Sequence, residues 1–421
     1  MAAPGVNELG DIIRELKKNI PCSLSSILSQ DVNPEFIFLI HEAEDDLEKC
    51  RNPSLVLSRA QALLDAVWEQ LNTGHWSKVS ATERQVYTAA GLIKIQALLQ
   101  MQLHEASGPV KDVYERALET ADRSLLLGAP LPVMDGQSMH RCAQILTSVV
   151  STPGTAAEGV GACRRAPWTS VDQIPGVSGE SLPVLDRPSI ERFRTEHFST
   201  RLPVKLTGCM SHWPALSRWG DMAYLRRVAG PRTVPVELGA HYADPDWSQQ
   251  LMTVSRFIDQ HVTGAGRPLG YLAQHPLFDQ VPELRTDIHE PEYCCLSNNL
   301  QDTDAAAEET DINAWFGPAG TVSPLHHDPK HNLLAQVVGE KRVLLYSPAD
   351  SPRLYPHETT LLGNTAQVDP EQPDYSMCPE YRHASALECR LRAGEMLYIP
   401  PLWWHHVRAL TTSFSVSFWW Q

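Results

Sequence analysis

The stretch SPLHHDPKHN, residues 323–332, puts three histidines and one aspartate within ten positions. His326 and Asp328 stand two apart. Side chains at i and i+2 of a strand leave the same face, so this pair can meet one ion while His327 points away. Two histidines and one carboxylate on one face of an octahedron make the open site of oxygen-activating iron(II), with positions free for a co-substrate and dioxygen. The third ligand must come from elsewhere, and GEMLYIPPLWWHHVRAL, residues 394–410, offers His405 and His406. His405 shares a face with Val407 and Ala409, and His406 shares the other with Arg408. A packed interior prefers the apolar set, so His405 is the expected ligand and His406 is expected to face outward. A turn or bulge after Pro400 would re-aim the first residue of that run. Zinc accepts the same three residue types, so they do not by themselves name the metal. His327 and His331 read as surface histidines, and Asp328–Pro329 also suits a turn.

One cation stands out nearby. Lys341, in GEKRVLLYS, has Val343 and Leu345 on its own strand face. A lysine on an apolar face needs a partner, whereas Arg342, on the opposite face, reads as ordinary surface. The aromatics Trp315, Phe316, Trp403, Trp404, Trp419 and Trp420 crowd the same segments, and core packing is the expectation for most. Neither an H-E-x-x-H arrangement nor an obvious general base accompanies the ligand candidates, which weighs against a metal-dependent hydrolase.

The elements that must carry these residues are short β-type runs from about residue 181 onward: LPVKLTG, RTVPVEL, NLLAQVVG, KRVLLYS, EMLYIP and SFSVSFWW. Their turn-rich spacing predicts an antiparallel sandwich, barrel or jelly roll, interrupted early by helical SIERFRTEH and GDMAYLRRVAG. The first third has helical periodicity instead. Ala60, Leu63, Leu64, Val67, Trp68 and Leu71 share a face, with Gly74 as a left-handed cap. Ser80 and Glu83 have the spacing of a capping box before the next helix. Tyr114, Ala117, Leu118, Ala121 and Leu125 line a further one that ends at Gly128. The expected organisation is α+β: an all-α domain over 1–150, a Gly/Pro/Ser-rich linker over 151–180, and a mainly β domain over 181–421.

The chain has 421 residues, 43% hydrophobic and 20% charged, with a formal net charge of −15. That balance argues against broad affinity for nucleic acid or anionic membrane and suits a basic protein partner. Nine scattered cysteines without a C-x-x-C pair indicate free thiols in a reducing, intracellular setting. The N-terminus lacks the apolar core of a signal peptide, and no apolar run reaches membrane-spanning length.

INAWFGPAGTVSPLHHDPKHNLLAQVVGEKRVLLYSP followed by GEMLYIPPLWWHHVRALTTSFSVSFWW resembles the core of the JmjC-domain oxygenases, and RLPVKLTGCMSHWPALSRW is similar to their entry segment. The likeness spans roughly 190–421. It implies a double-stranded β-helix of jelly-roll (cupin) type that uses Fe(II), 2-oxoglutarate and O2. The metal ligands it implies are His326, Asp328 and His405, which are also the catalytic set. It implies that Lys341 neutralises the far carboxylate of 2-oxoglutarate, with hydrogen bonds from Tyr271, Ser323 and Asn332. For a substrate pocket, Trp315 and Trp419 are candidates to stack on a guanidinium, Glu237 to pair with it, and Gln274 to add a polar contact. The implied reaction is hydroxylation of a C–H bond in an arginine side group, with release of succinate and CO2. The alternative is N-methyl-lysine demethylation of histones by the same chemistry. A histone-tail endopeptidase and a non-catalytic cupin scaffold are the further alternatives. Arginine is favoured because the sequence has no cysteine-rich zinc modules or reader domains. The expected partner is an arginine-containing basic protein or peptide: a histone, a chromatin-associated protein or a ribosomal protein. The N-terminal helices are expected to dock a partner. A nuclear address, shared with the cytoplasm, is implied by the resemblance.

Overall fold

The computed structural model describes residues 4–72, 80–105, 109–151, 176–239, 241–242, 244, 246–264, 266–297, 309–359 and 362–421. Gly74 and residues 152–175 of the expected linker lie outside them. The protein divides into two compact units, one of Met1–Gly159 with Pro231–Thr233, the other of Val160–Gly230 with Val234–Gln421.

The first unit is built from α1 (Pro4–Lys18), α2 (Pro34–Glu48), α3 (Pro53–Asn72), α4 (Ala81–Glu105), α5 (Val110–Leu127) and α6 (Ser138–Val150). The capping box forms as expected: the Ser80 amide donates to Glu83 Oε2 at 3.0 Å and the Glu83 amide donates to Ser80 Oγ at 3.2 Å. Two otherwise orphaned donors are thereby satisfied at the start of α4. Val86, Ala89, Ala90, Leu92, Ile93 and Ile95 are all buried, so α4 is apolar nearly all round and runs through the middle of the unit. On α3 the buried stripe is narrower than expected, because Trp68 is 47% exposed. Gly128 ends α5 in extended backbone, not in a left-handed cap. A Cβ there would collide with Thr88 Oγ1 and the Ser124 carbonyl, so close approach is what excludes larger residues.

The described residues of the second unit hold fourteen strands: β1 (Glu180–Ser181), β2 (Val184–Asp186), β3 (Val204–Thr207), β4 (Thr233–Leu238), β5 (Ser248–Thr253), β6 (Gly270–His275), β7 (Asp311–Gly317), β8 (Val322–His327), β9 (His331–Val338), β10 (Glu340–Tyr346), β11 (Ala386–Arg392), β12 (Met396–Ile399), β13 (Trp404–Ala409) and β14 (Ser413–Trp420). They form a five-stranded sheet, β1-β11-β10-β13-β8, and a nine-stranded sheet, β2-β3-β12-β9-β14-β7-β6-β4-β5. Strands β8 to β14 pair antiparallel and pass between the two sheets, the expected double-stranded β-helix, while β1 with β11 and β2 with β3 add a parallel pair at an edge of each. Strands β9 and β12 are buried at every residue, which explains why their sequences are near-continuous apolar runs without alternation. Two of the buried serines of β14 are satisfied internally: Ser415 Oγ donates to Gln336 Oε1 at 2.6 Å, and Ser417 Oγ accepts from Trp315 Nε1 at 2.9 Å.

Three surface expectations fail for one reason, that both faces of each sheet are covered. The connection from β10 to β11 lays Leu354, Ala366, Val368 and Tyr381 over Leu325, Leu344, Tyr346 and Trp404 on the outer face of the small sheet. His406, expected to face outward, is therefore 3% exposed, and Arg342 is 4% exposed. Arg342 donates from Nε and Nη2 to the two oxygens of Glu388, at 2.9 and 3.3 Å. His331 is buried too, its Nδ1 2.8 Å from the Tyr398 hydroxyl and its ring stacked against both Phe198 and Trp420. Glu388→Ala would remove the carboxylate that pairs with the buried Arg342 guanidinium and leave the Val177 carbonyl as an acceptor. Chemical denaturation should show a loss of about 3 kcal/mol; a change under about 0.5 kcal/mol, the level of an ordinary surface substitution, would refute it.

The described cysteines are free thiols, and no helix among the described residues is long and apolar enough to cross a membrane.

Candidate metal and co-substrate site

Strands β8 and β13 pair antiparallel with His326 directly opposite His405. Beyond that pair the register slips: His405 opposes His326, but Val407 opposes Ser323. One residue of β13 thus faces two of β8, a bulge at Pro324–Leu325, where a residue without an amide hydrogen is tolerated. The bulge resets the side-chain alternation. Ser323 and His326, three apart, both enter the cavity between the sheets, while Leu325 packs on the outer face. Strict alternation would have placed them on opposite sides.

Asp328 follows the end of β8, and its carbonyl accepts from the Leu402 amide at 2.8 Å. The other edge of β8 is held by Asn364, which accepts from the His327 amide at 2.9 Å. These clamps set the backbone that carries two of the ligand candidates. Ligand atoms of His326, Asp328 and His405 all lie within 4.8 Å of one another. His326 Nδ1 donates to the Pro324 carbonyl at 2.8 Å, and His405 Nδ1 to the Trp403 carbonyl at 3.0 Å. A carbonyl only accepts, so each ring carries its proton on Nδ1 and leaves the Nε2 lone pair free for a metal. Both Nε2 atoms face Asp328 Oδ2, at 3.9 and 3.5 Å.

The electrostatics agree with that reading. Burial, helped by neighbouring His405, pulls the His326 imidazole down to about 4, so it is neutral at pH 7, the form that can hold a metal. Burial would raise the Asp328 carboxyl, but the neighbouring His405 and His326 rings outweigh it and hold the group at about 2. Asp328 Oδ2 is nonetheless buried without a hydrogen-bond partner. An ionised, orphaned oxygen beside two free imidazole lone pairs is the donor set a divalent cation completes.

The same cavity is lined by Tyr271, Trp315, Ser323, Asn332, Lys341 and Trp419. Lys341 is 1% exposed. Its ammonium donates to the Tyr271 hydroxyl at 3.2 Å and lies over that ring, 5.6 Å from the centroid. Burial lowers it to about 7. Both of those contacts are to a neutral group, which leaves the charge without a counter-ion. Asn332 Oδ1 and Trp419 Nε1, opposite one another in the β9–β14 register, are also buried without hydrogen bonds. Leu334, Ile399 and Val407 supply apolar wall.

The candidate substrate residues separate. Trp315 and Trp419 line the cavity, and Glu237 sits opposite Tyr271 across β4 and β6, hence on the same face. Burial raises the Glu237 carboxyl. Gln274 is exposed, at a positive φ in the bulge of β6 against β7, and does not line the cavity. His327 packs against Trp404 on the outer face, away from the ligands. Sequence reasoning missed Tyr242, whose ring meets His326 edge-on at 6.4 Å and whose hydroxyl lies 3.2 Å from Thr365 Oγ1. No spacing signal links Tyr242 to His326; only the path of the loop after β4 does.

A family model described as "Cupin-like domain" matches residues 190–421. Lysine-specific demethylase 8 of Danio rerio is 39% identical, over 98% of this protein and 100% of its own length. Jumonji C domain-containing protein 5 of Drosophila melanogaster is 42% identical over 86% of each sequence. Lysine-specific demethylase JMJ30 of Arabidopsis thaliana is 38% identical, again over 86% of each.

Proposed function

We propose, from the premise that this chain belongs to the cupin-like JmjC oxygenase family, that it is an Fe(II)- and 2-oxoglutarate-dependent oxygenase acting on a cationic side group of a protein. One observation carries the reading: a single cavity holds two free imidazole nitrogens and an orphaned carboxylate oxygen at one place and a buried, uncompensated ammonium at another. A dianion that chelates metal at one end and ends in a carboxylate at the other satisfies both. When bound, iron(II) with 2-oxoglutarate and dioxygen supplies the oxidant, and succinate and CO2 are released.

The protein's own residues bind and orient. His326, Asp328 and His405 hold the metal, and Lys341 pairs with the far carboxylate. Tyr271, Ser323 and Asn332 add hydrogen bonds to that carboxylate. Trp315 and Trp419 flank the substrate, Glu237 receives its positive charge, and Leu334, Ile399 and Val407 keep out water.

Two fates for the substrate share this machinery. The relatives named as lysine-specific demethylases favour removal of an N-methyl group from lysine, with formaldehyde as by-product. Arginine C–H hydroxylation, the first expectation from sequence, stands second and has one feature in its favour. The two oxygens of half-buried Glu237 can accept the paired donors of a guanidinium, which a trimethylated ammonium does not possess. The proposed partner is a basic protein, a histone first among candidates, with the nuclear address that implies. Succinate formation and peptide mass should be followed with N-methyl-lysine and arginine peptides in parallel. Loss of a methyl group assigns demethylation, and gain of one oxygen on arginine assigns hydroxylation. Turnover of neither, with metal and 2-oxoglutarate bound, sinks the reading.

The Lys341 environment also sets a pH dependence. The ammonium is present below about pH 7 in the ligand-free protein and is lost above it. Both 2-oxoglutarate carboxylates stay ionised across that range, so affinity falls as pH rises, approaching about tenfold per unit well above pH 7. Calorimetric titrations from pH 6 to 9 should show that decline; a flat profile would place the counter-ion elsewhere.

A further inference from the structure

We propose that His406, Asp369 and Glu371 form a second divalent-metal site on the outer face of the small sheet, separate from the first and independent of the oxygenase reading. Ligand atoms of the three lie within 4.8 Å of one another. They line a groove of about 640 Å³ between β13 and the connection that covers it, with Pro324, Leu325 and Arg408 among its walls. His406 is the informative member. It is 3% exposed, yet neither ring nitrogen has a hydrogen-bond partner among the described residues, and the ring borders the groove. A neutral imidazole held at the groove wall with no partner on either nitrogen offers its one lone pair to an electrophile there.

The two carboxylates are already oriented. Arg408 donates from Nε and Nη2 to the two oxygens of Glu371, and each oxygen keeps a second lone pair. Asp369 Oδ1 accepts from the Glu371 amide at 2.8 Å, which leaves Oδ2 available. An arginine behind a ligating carboxylate is the kind of outer support that fixes ligands at metal sites. Asp369, Glu371 and Arg408 together carry one net negative charge, so a divalent cation is attracted, at moderate affinity. One imidazole with two carboxylates suits a first-row ion such as zinc or cobalt. Such an ion would tie the covering segment to β13 at the residue after His405, bracing the strand that carries a ligand of the first site. A proton on His406 is the competing occupant.

Cobalt(II) titration of chelator-stripped, tag-free protein, read by visible absorption and calorimetry, separates the two. In His326→Ala, where the first site is broken, one equivalent should still bind. Adding Asp369→Asn, at an exposed position tolerant of change, should weaken it at least about tenfold, and adding His406→Phe should abolish it. No cobalt bound by His326→Ala with an intact melting transition would overturn the site, as would binding unchanged by both second substitutions.

Discussion

Lys341→Met is expected to raise the KM for 2-oxoglutarate by about 30- to 5000-fold while raising the melting temperature of the ligand-free protein. The two effects have one origin. The ammonium is 1% exposed and, among the described residues, its polar contacts are the Tyr271 hydroxyl and ring, so there it is a buried charge without a counter-ion. An unbranched apolar group of similar length removes that cost, which is of order 1–3 kcal/mol. In the complex the same charge meets a carboxylate, and truncating one partner of such a pair costs about 2–5 kcal/mol of binding. Thermal melts with and without 2-oxoglutarate, alongside succinate kinetics, measure both. The wild-type protein should gain much more stability from the ligand than the variant does. A variant that melts lower when ligand-free but binds 2-oxoglutarate normally would mean that Lys341 is a structural residue.

The second large effect compares adjacent histidines. His326→Ala should lower substrate-coupled succinate formation by well over 100-fold, since even outer-shell changes at metal sites cost about 10- to 100-fold. His327→Ala should leave the rate within about threefold, because that ring leans on Trp404 on the other face of β8. Iron content measured on both proteins separates loss of metal from loss of fold. Equal losses in the two variants would show that the face assignment is wrong.

Much of the catalytic architecture was legible because strand periodicity is local. His326 and Asp328 at i and i+2, and His405 with Val407 and Ala409, belong to one face by backbone geometry alone. The same alternation fails at Ser323: the bulge at Pro324–Leu325 turns a residue three away from His326 into the same cavity. A proline hints at such a defect, but pairing with β13 is what creates it. The sequence-based assignment of Arg342, His331 and His406 to the surface failed differently. Parity says which face a side chain leaves from and nothing about what covers that face. Here the β10–β11 connection and the aromatic cluster of Phe198, Tyr398 and Trp420 do the covering.

The order of residues along the polypeptide was thus sufficient to point to several of the strands, the two-histidine, one-aspartate set and the isolated lysine, since each depends on neighbours a few positions away. Tertiary structure alone decided that His326 faces His405 across 79 positions, that Glu237 lies opposite Tyr271, that Tyr242 meets the His326 ring edge-on and that Gln274 stays outside. Those placements depend on which edges pair and where a register slips. Such choices are settled by burial summed over both sheets, and no short window of sequence contains them.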